Sequence, residues 1–275
     1  MMNPIEKGYK HVNGIQLYYE IYGSGKPLVL IHGGGSSILY DFKEVIARLE
    51  GKFQLIGIDL QNHGRSEHRD IPETFEQDAD DVAALLTALN IHKASFWGFS
   101  NGGSTVMQIA HRHPGIVEKL VVASAFYKRE GMMDGFFEMM EEATFESMPE
   151  PFKINFLNLN PDFSKLENLF DKDSKRMQTF VDWDDEVLSS IESPTLFISG
   201  DKDVMKPEHT VAMWRLVEGS QLMILPATHG VYMMPDFDGS LNENLVNFTI
   251  KEVETFLNKL TDYIRIFHIR LLCYL

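Results

Sequence analysis

The stretch ASFWGFSNGG, residues 94–103, places one serine among glycines at the end of an apolar run. The run has the continuous apolar character of a strand buried on both faces, and a helical pattern begins at Asn101. Ser100 would then occupy the sharp turn between strand and helix, with a positive φ angle. Gly98 and Gly102 stand two residues to either side, where a side chain would collide with the neighbouring strand or helix. The stretch therefore predicts the G-x-S-x-G turn that exposes a nucleophilic serine.

Apolar runs of strand length recur along the chain and alternate with amphipathic helical stretches. An Asn13-Gly14 pair between two strand-like runs near the start predicts a tight hairpin. This alternation predicts an α/β fold with a mostly parallel central sheet and helices on both faces. The predicted core strands cover residues 27–32, 53–60, 94–99, 118–125, 194–200 and 221–226.

One long segment interrupts the alternation. Residues 127–191 have no strand pattern and are rich in methionine and aromatic residues, which predicts an inserted helical cap. Most of those side chains would form the core of the cap, and some would line an apolar pocket. The core domain would then comprise residues 1–126 and 192–262. The apolar, basic tail 263–275 is left open as an amphipathic tail, a partner-binding segment, or a cloning or frameshift scar.

Composition limits the partners of the chain. Its 275 residues include 25 Lys and Arg against 40 Asp and Glu, a formal net charge of −15, which argues against binding nucleic acid. The one cysteine, Cys273, cannot form an internal disulfide. The first residues lack the apolar segment of a signal peptide, and no run reaches the roughly 18 apolar residues of a membrane span. We therefore expect a cytoplasmic protein without a membrane span.

A nucleophilic serine needs a base, and the base needs an acid to orient it. His229 lies just beyond the last predicted core strand, and Asp201 and Asp203 follow the fifth. Because the carboxyl ends of parallel strands form one ligand-binding edge, these side chains are expected to lie near Ser100. The glycines of residues 33–35 follow the first core strand and offer bare backbone amides to a developing oxyanion.

In this order, these motifs resemble the α/β-hydrolase family, specifically its cap-bearing, esterase-like serine hydrolases. The matching motifs are HGGG (32–35), DLQNHGRS (59–66), GFSNGG (98–103), SGDKD (199–203) and THG (228–230). The resemblance covers roughly residues 8–260 and has the chain order Ser, Asp, His of that family. The family often has glycine before the histidine, whereas this chain has Thr228. The resemblance assigns His63 to a structural turn and not to the triad.

The resemblance implies a role for each matched position. Ser100 would be the nucleophile, His229 the base and Asp203 its orienting acid, with Asp201 as the second candidate for the acid. The backbone amides of Gly34 and Asn101 would stabilise the oxyanion. No cofactor and no metal are expected for this chemistry.

The expected activity is that of a serine hydrolase. It would cleave a carboxylic ester or related acyl bond of a small, partly apolar substrate through an acyl-enzyme. Ser100 in place of aspartate speaks against dehalogenase and epoxide-hydrolase chemistry, which needs a carboxylate nucleophile. A C–C bond hydrolase, thioesterase, lactonase or aminopeptidase would use the same triad. The rival hypotheses are a non-catalytic ligand-binding protein and an acyltransferase. The physiological substrate and the oligomeric state are left open.

Overall fold

An eight-stranded sheet runs through the computed structural model, which describes residues 3–259. Its spatial order is β1-β2-β4-β3-β5-β6-β7-β8. The strands are β1 (Glu6–Val12), β2 (Ile15–Tyr22), β3 (Lys26–Ile31), β4 (Phe53–Asp59), β5 (Ala94–Phe99), β6 (Val117–Ala123), β7 (Thr195–Gly200) and β8 (Gln221–Leu225).

Strand direction follows the sequence prediction. The first two strands form an antiparallel hairpin whose turn residues, Asn13 and Gly14, have φ angles of 45° and 89°. Strand β2 also pairs antiparallel with β4, and every further pairing from β4 to β8 is parallel. The predicted mostly parallel α/β sheet is thereby confirmed, and its carboxyl ends form one edge.

Helices cover both faces of this sheet. Within residues 3–259 they are α1 (Ile38–Leu49), α2 (Phe75–Ala88), α3 (Asn101–Arg112), α4 (Phe136–Glu142), α5 (Glu150–Leu159), α6 (Phe163–Gln178), α7 (Asp185–Ser189), α8 (Pro207–Leu216) and α9 (Glu243–Asn258). Side chains of α1 and α9 belong to one apolar cluster, and those of α2, α3 and α8 belong to the other. The central strand β3 therefore has Leu28 and Ile31 fully buried, as its continuous apolar sequence requires.

Local sequence explains where helices begin and which face they bury. The Thr74 hydroxyl accepts the Gln77 amide at 3.1 Å and caps the start of α2, which satisfies one of its unpaired amides. Helix α1 buries Phe42, Val45 and Leu49, whose spacing places them on one face.

Residues 124–194, all of them described, form the connection between β6 and β7. They contain helices α4 to α7 and no strand, apart from an isolated bridge between Met132 and Met205. Met148, Phe156, Leu166 and Leu169 form a small apolar cluster within this segment. The segment, here called the insertion, corresponds to the predicted residues 127–191. Its treatment as a separate cap domain with those boundaries stays a prediction.

The end of α9 is fixed to the sheet by one buried lysine. The Nζ of Lys119, near the amino end of β6, donates to the carbonyls of Phe256 and Leu257 at 3.0 Å and to that of Lys259. These carbonyls lie at the helix end, where a cation is stabilising. The predicted tail 263–275, with Cys273, lies outside the described residues. Between residues 3 and 259, no helix is both long and apolar enough to cross a bilayer.

Candidate active site

Ser100 occupies the turn between β5 and α3 with φ 55° and ψ −123°, so the predicted positive φ is confirmed. Such a backbone costs an L-residue about 1–3 kcal/mol and persists only where its surroundings enforce it. Close backbone contacts at the two flanking glycines hold the turn in this conformation. A Cβ on Gly98 would lie 2.1 Å from the Gly102 carbonyl oxygen, and one on Gly102 would lie 2.1 Å from that of Ile31. The turn therefore admits no side chain at either position.

Three of the predicted side chains meet at the carboxyl edge of the sheet. The Nε2 atom of His229 lies 3.2 Å from Ser100 Oγ, and its Nδ1 atom lies 2.6 Å from Asp203 Oδ1. Asp201, the second candidate for the acid, instead accepts the Ala227 amide at 3.0 Å. The structure thus brings Asp203, and not Asp201, to the histidine.

The Asp203 carboxylate is buried and well supplied with donors. Its Oδ2 atom accepts the Gly200 amide at 3.1 Å and the Ser124 hydroxyl. Burial alone would raise its pKa, but His229 and these hydrogen bonds outweigh burial and lower the pKa below its usual value. An ionised Asp203 accepts from Nδ1–H, which leaves Nε2 of a neutral imidazole free to accept the serine proton.

The glycine loop after β3 offers one unused amide. Gly33 donates its amide to Asp41 Oδ2 at 2.7 Å, and Gly35 donates its amide to His63 Nε2 at 3.2 Å. Between them, the Gly34 amide has no acceptor among residues 3–259, and neither does the Asn101 amide at the start of α3. A Cβ on Gly34 would lie 2.6 Å from the side-chain Nδ2 of Asn101, so the two residues are neighbours. Free backbone amides are the donors that a developing oxyanion would need.

Two buried histidines support this loop. His32 donates Nδ1–H to the Gly33 carbonyl at 2.7 Å and accepts the Leu60 amide at Nε2. Burial lowers the pKa of His32 to about 3, so its ring stays neutral. His63 contacts the Gln61 carbonyl through Nδ1 at 2.9 Å, and its Nε2 accepts the Gly35 amide. His63 therefore joins its own turn to the glycine loop.

Asp41 is a site residue that the sequence did not indicate. It lies within the helical pattern of α1, yet its carboxylate accepts the Gly33 amide and the Ser36 hydroxyl. Burial raises its pKa to about 6. The only local signal was a carboxylate in the first turn of a helix, which is also common in ordinary helices.

The insertion supplies a polar contact above the site. Asp173, on α6, accepts the Asn101 side-chain amide at 3.3 Å and pairs with Arg176 at 2.5 Å. Arg176 also pairs with Asp78 of the core at 2.6 Å. Burial would raise the pKa of Asp173, but the charge of Arg176 outweighs burial and lowers it. The insertion is therefore joined by buried charges to both α2 and the serine turn.

Apolar side chains of the insertion also lie beside the glycine loop. A Cβ on Gly35 would lie 3.5 Å from the Phe152 ring and 3.7 Å from the Met148 methyl group. The insertion thus places two apolar side chains and one carboxylate, that of Asp173, beside the glycine loop. Across residues 3–259, no group of three or more His, Cys, Asp or Glu side chains is arranged to hold a metal ion.

The chain is similar in sequence to proteins of one known family. Residues 26–150 match the family model described as alpha/beta hydrolase fold. The human protein named serine hydrolase BPHL is 29% identical over 238 residues, which cover 78% of this chain and 77% of that protein. The putative carbamate hydrolase RutD of Azorhizobium caulinodans is 28% identical over 230 residues, covering 77% of this chain and 85% of that protein.

A solved structure shares the architecture. A meta-cleavage product hydrolase from Pseudomonas fluorescens superposes with a TM-score of 0.73 at 18% identity, covering 89% of this chain and 95% of that one. At this identity the likeness supports the fold alone.

Proposed function

The chain belongs to the α/β-hydrolase fold family, and on that premise we propose that it is a serine hydrolase acting through Ser100, His229 and Asp203. The observation that carries the proposal is the continuous contact from Ser100 Oγ through the imidazole to Asp203, at 3.2 and 2.6 Å. Two amides without acceptors in the described chain, those of Gly34 and Asn101, adjoin it.

In the first half-reaction, Ser100 Oγ attacks the substrate carbonyl carbon while His229 Nε2 takes the hydroxyl proton. Asp203 holds the ring and stabilises the imidazolium. The amides of Gly34 and Asn101 donate to the oxyanion, and one such donor contributes about 3 kcal/mol to transition-state stabilisation. When the tetrahedral intermediate collapses, the imidazolium protonates the leaving group and an acyl-enzyme remains.

In the second half-reaction, His229 removes a proton from water, and the hydroxide attacks the acyl carbon. The Ser100–acyl bond breaks, the serine recovers its proton from the imidazolium, and the free acid leaves. Every proton is carried by His229, so this proposal includes no cofactor and no metal.

We propose a carboxylic ester or related acyl bond of a small, partly apolar molecule as the substrate, met in the cytoplasm. Met148 and Phe152 beside the glycine loop support the apolar character. The names of the compared proteins mention carbamates and meta-cleavage products. C–C bond, thioester, lactone and N-terminal peptide hydrolysis would use the same triad, and these reactions are tested beside ester hydrolysis.

The decisive experiment is labelling of the purified protein with a fluorophosphonate probe, combined with hydrolysis of a panel of esters, thioesters, lactones, aminoacyl amides, carbamates and meta-cleavage products, the last of which test C–C bond hydrolysis. Wild type should label and hydrolyse at least one class, and Ser100→Ala should do neither. Ser104→Ala is the matched control, because Ser104 is buried in the same helix and donates only to the Phe126 carbonyl at 2.7 Å. It should label like wild type.

Two results would contradict the proposal. A folded wild type that neither labels nor hydrolyses any of these compounds would favour a ligand-binding protein. Acyl transfer to an added alcohol that exceeds hydrolysis would favour an acyltransferase.

A further inference from the structure

A buried serine and a buried tyrosine lie behind the proposed catalytic acid. Ser124 directly follows β6, and its hydroxyl contacts both Asp203 Oδ2 and, at 2.6 Å, the hydroxyl of Tyr232. Ser124 and Tyr232 are both fully buried. Neither residue takes part in the proton transfers described above, so their hydroxyls need another explanation.

The chemistry of the three groups fixes the direction of the hydrogen bonds. An ionised Asp203 can only accept, so the Ser124 hydroxyl donates to it. The remaining contact must then run from the Tyr232 hydroxyl to Ser124 Oγ. Burial and the neighbouring Asp203 raise the pKa of Tyr232 well above its usual value, so the phenol keeps the proton that it donates. The result is a one-way chain from tyrosine to serine to carboxylate.

The backbone of Ser124 is held in an unfavourable conformation. Its φ angle is 47°, and its amide donates to the Ile198 carbonyl at 2.7 Å. Strain of this kind in a non-glycine residue persists only where the surroundings over-determine it, and it often marks a functional site. Here the conformation coincides with a hydroxyl placed on Asp203 Oδ2.

We propose that Ser124 and Tyr232 are positioning residues that fix the orientation of the Asp203 carboxylate toward His229. With Oδ2 held by Ser124 and the Gly200 amide, Oδ1 is left facing the imidazole at 2.6 Å. Tyr232 lies three residues after His229, so the same contact also anchors the segment that carries the base. This inference rests on the proposed function of the triad.

The first test compares Ser124→Gly and Tyr232→Phe with wild type. Glycine removes the hydroxyl and tolerates the positive φ, and phenylalanine removes only one buried oxygen. We expect kcat to fall about tenfold in Ser124→Gly and less in Tyr232→Phe, with KM within about twofold, because only alignment is lost. The acid limb of the kcat/KM profile should move to lower pH, because a misaligned carboxylate stabilises the imidazolium less.

The second test is the double variant. Because Tyr232 acts through Ser124, the double variant should be no slower than Ser124→Gly alone. Tyr19→Phe is the matched control. It also removes a buried tyrosine hydroxyl, one that donates to Glu6 at 2.6 Å in the β1–β2 hairpin, and it should keep the wild-type kcat and pH profile.

Several outcomes would overturn the proposal: wild-type kcat and pH profile in both single variants, additive losses in the double variant, or an acid limb that moves to higher pH. A shift of the acid limb to higher pH would mean that Ser124 and Tyr232 only reduce the negative charge on Asp203 and do not orient it. A proton NMR spectrum of the hydrogen bond from His229 Nδ1–H to Asp203 needs no substrate, so it tests the positioning role even if the proposed hydrolysis fails. The Nδ1–H resonance should move upfield in Ser124→Gly because this hydrogen bond weakens, and an unchanged resonance would contradict the role.

Discussion

A Cβ built on Gly34 would lie 2.4 Å from Oδ2 of Asp173, so helix α6 of the insertion rests directly on the glycine loop. A lone carboxylate beside this loop would oppose negative charge developing at the Gly34 amide. The Arg176 guanidinium, 2.5 Å from Asp173, offsets that charge. The insertion therefore contributes both packing and a carboxylate paired with Arg176 next to the proposed oxyanion site.

Gly34→Ala should test this close approach. The new methyl group must displace Asp173 or the loop, so we expect kcat to fall about a hundredfold, at the lower end of the range for loss of one oxyanion donor. The measurement is steady-state hydrolysis of the best ester substrate. Gly51→Ala is the control, because nothing lies within 4 Å of a Cβ there. Equal rates for Gly34→Ala and wild type would show that the close approach of Asp173 does not fix the position of the Gly34 amide.

Asp203→Asn should separate the two candidate acids. A neutral amide stabilises the imidazolium far less than the carboxylate, and its NH2 group can donate to Nδ1 and hold the ring in the wrong tautomer, so we expect kcat to fall roughly 10³- to 10⁴-fold. Asp201→Asn should retain most activity, because Asp201 contacts the Ala227 amide and not His229. The reverse ranking in a pre-steady-state acylation assay would show that Asp201 is the acid.

Arg176→Met should reveal the strength of the buried charge cluster. Removing the guanidinium leaves the Asp78 and Asp173 carboxylates buried without their cation, and we expect the free energy of unfolding to fall by about 3–5 kcal/mol. Urea denaturation at neutral pH measures the loss. Lys206→Met is the comparison, since its partner Asp134 is 95% exposed and solvent screens such a pair, so the loss of stability should be much smaller. Similar losses of unfolding free energy in Arg176→Met and Lys206→Met would show that the buried cluster stabilises the fold no more than an exposed ion pair does.

Glu73→Gln should make stability less dependent on pH. Burial raises the pKa of Glu73 from 4.5 to about 7 despite the nearby Arg176. The folded protein therefore holds this proton over a pH range in which the unfolded chain has lost it, and stability declines as pH rises from about 4.5 to 7. Glutamine removes that decline, so the variant should gain about 2 kcal/mol over wild type at pH 8 and little at pH 5. Urea denaturation at both pH values gives the comparison, and an equal gain at both would argue against a titrating Glu73.

Local sequence signals predicted the parts of the molecule that depend on local structure. Apolar runs located the parallel strands, and Gly98 and Gly102 identified the turn at Ser100 because backbone contacts exclude any side chain there. The motifs that follow the predicted strands identified His229 and Asp203 as candidate partners of Ser100, since parallel strands end at one edge.

The contacts that support the site were not predictable in this way. Asp173 meets Asn101 across 72 positions of sequence, and Arg176 meets Asp78 across 98. Such pairs depend on how the insertion folds back over the sheet, which no local pattern specifies. The sequence did contain a signal for Ser124, because this residue stands at the carboxyl end of β6, and functional residues of parallel sheets are common at that edge.

The buried amine of Lys119 has a practical consequence for handling the protein. It holds Lys259 near the amino end of β6, four residues, or about 13 Å of strand, from Ala123, which pairs with Phe99 beside the serine turn. The exposed side chain of Lys259 thus lies toward the end of the sheet opposite the reactive edge. A linker to a solid support attached at that position leaves the approach to Ser100 open, so immobilised protein should turn over substrate as the free protein does.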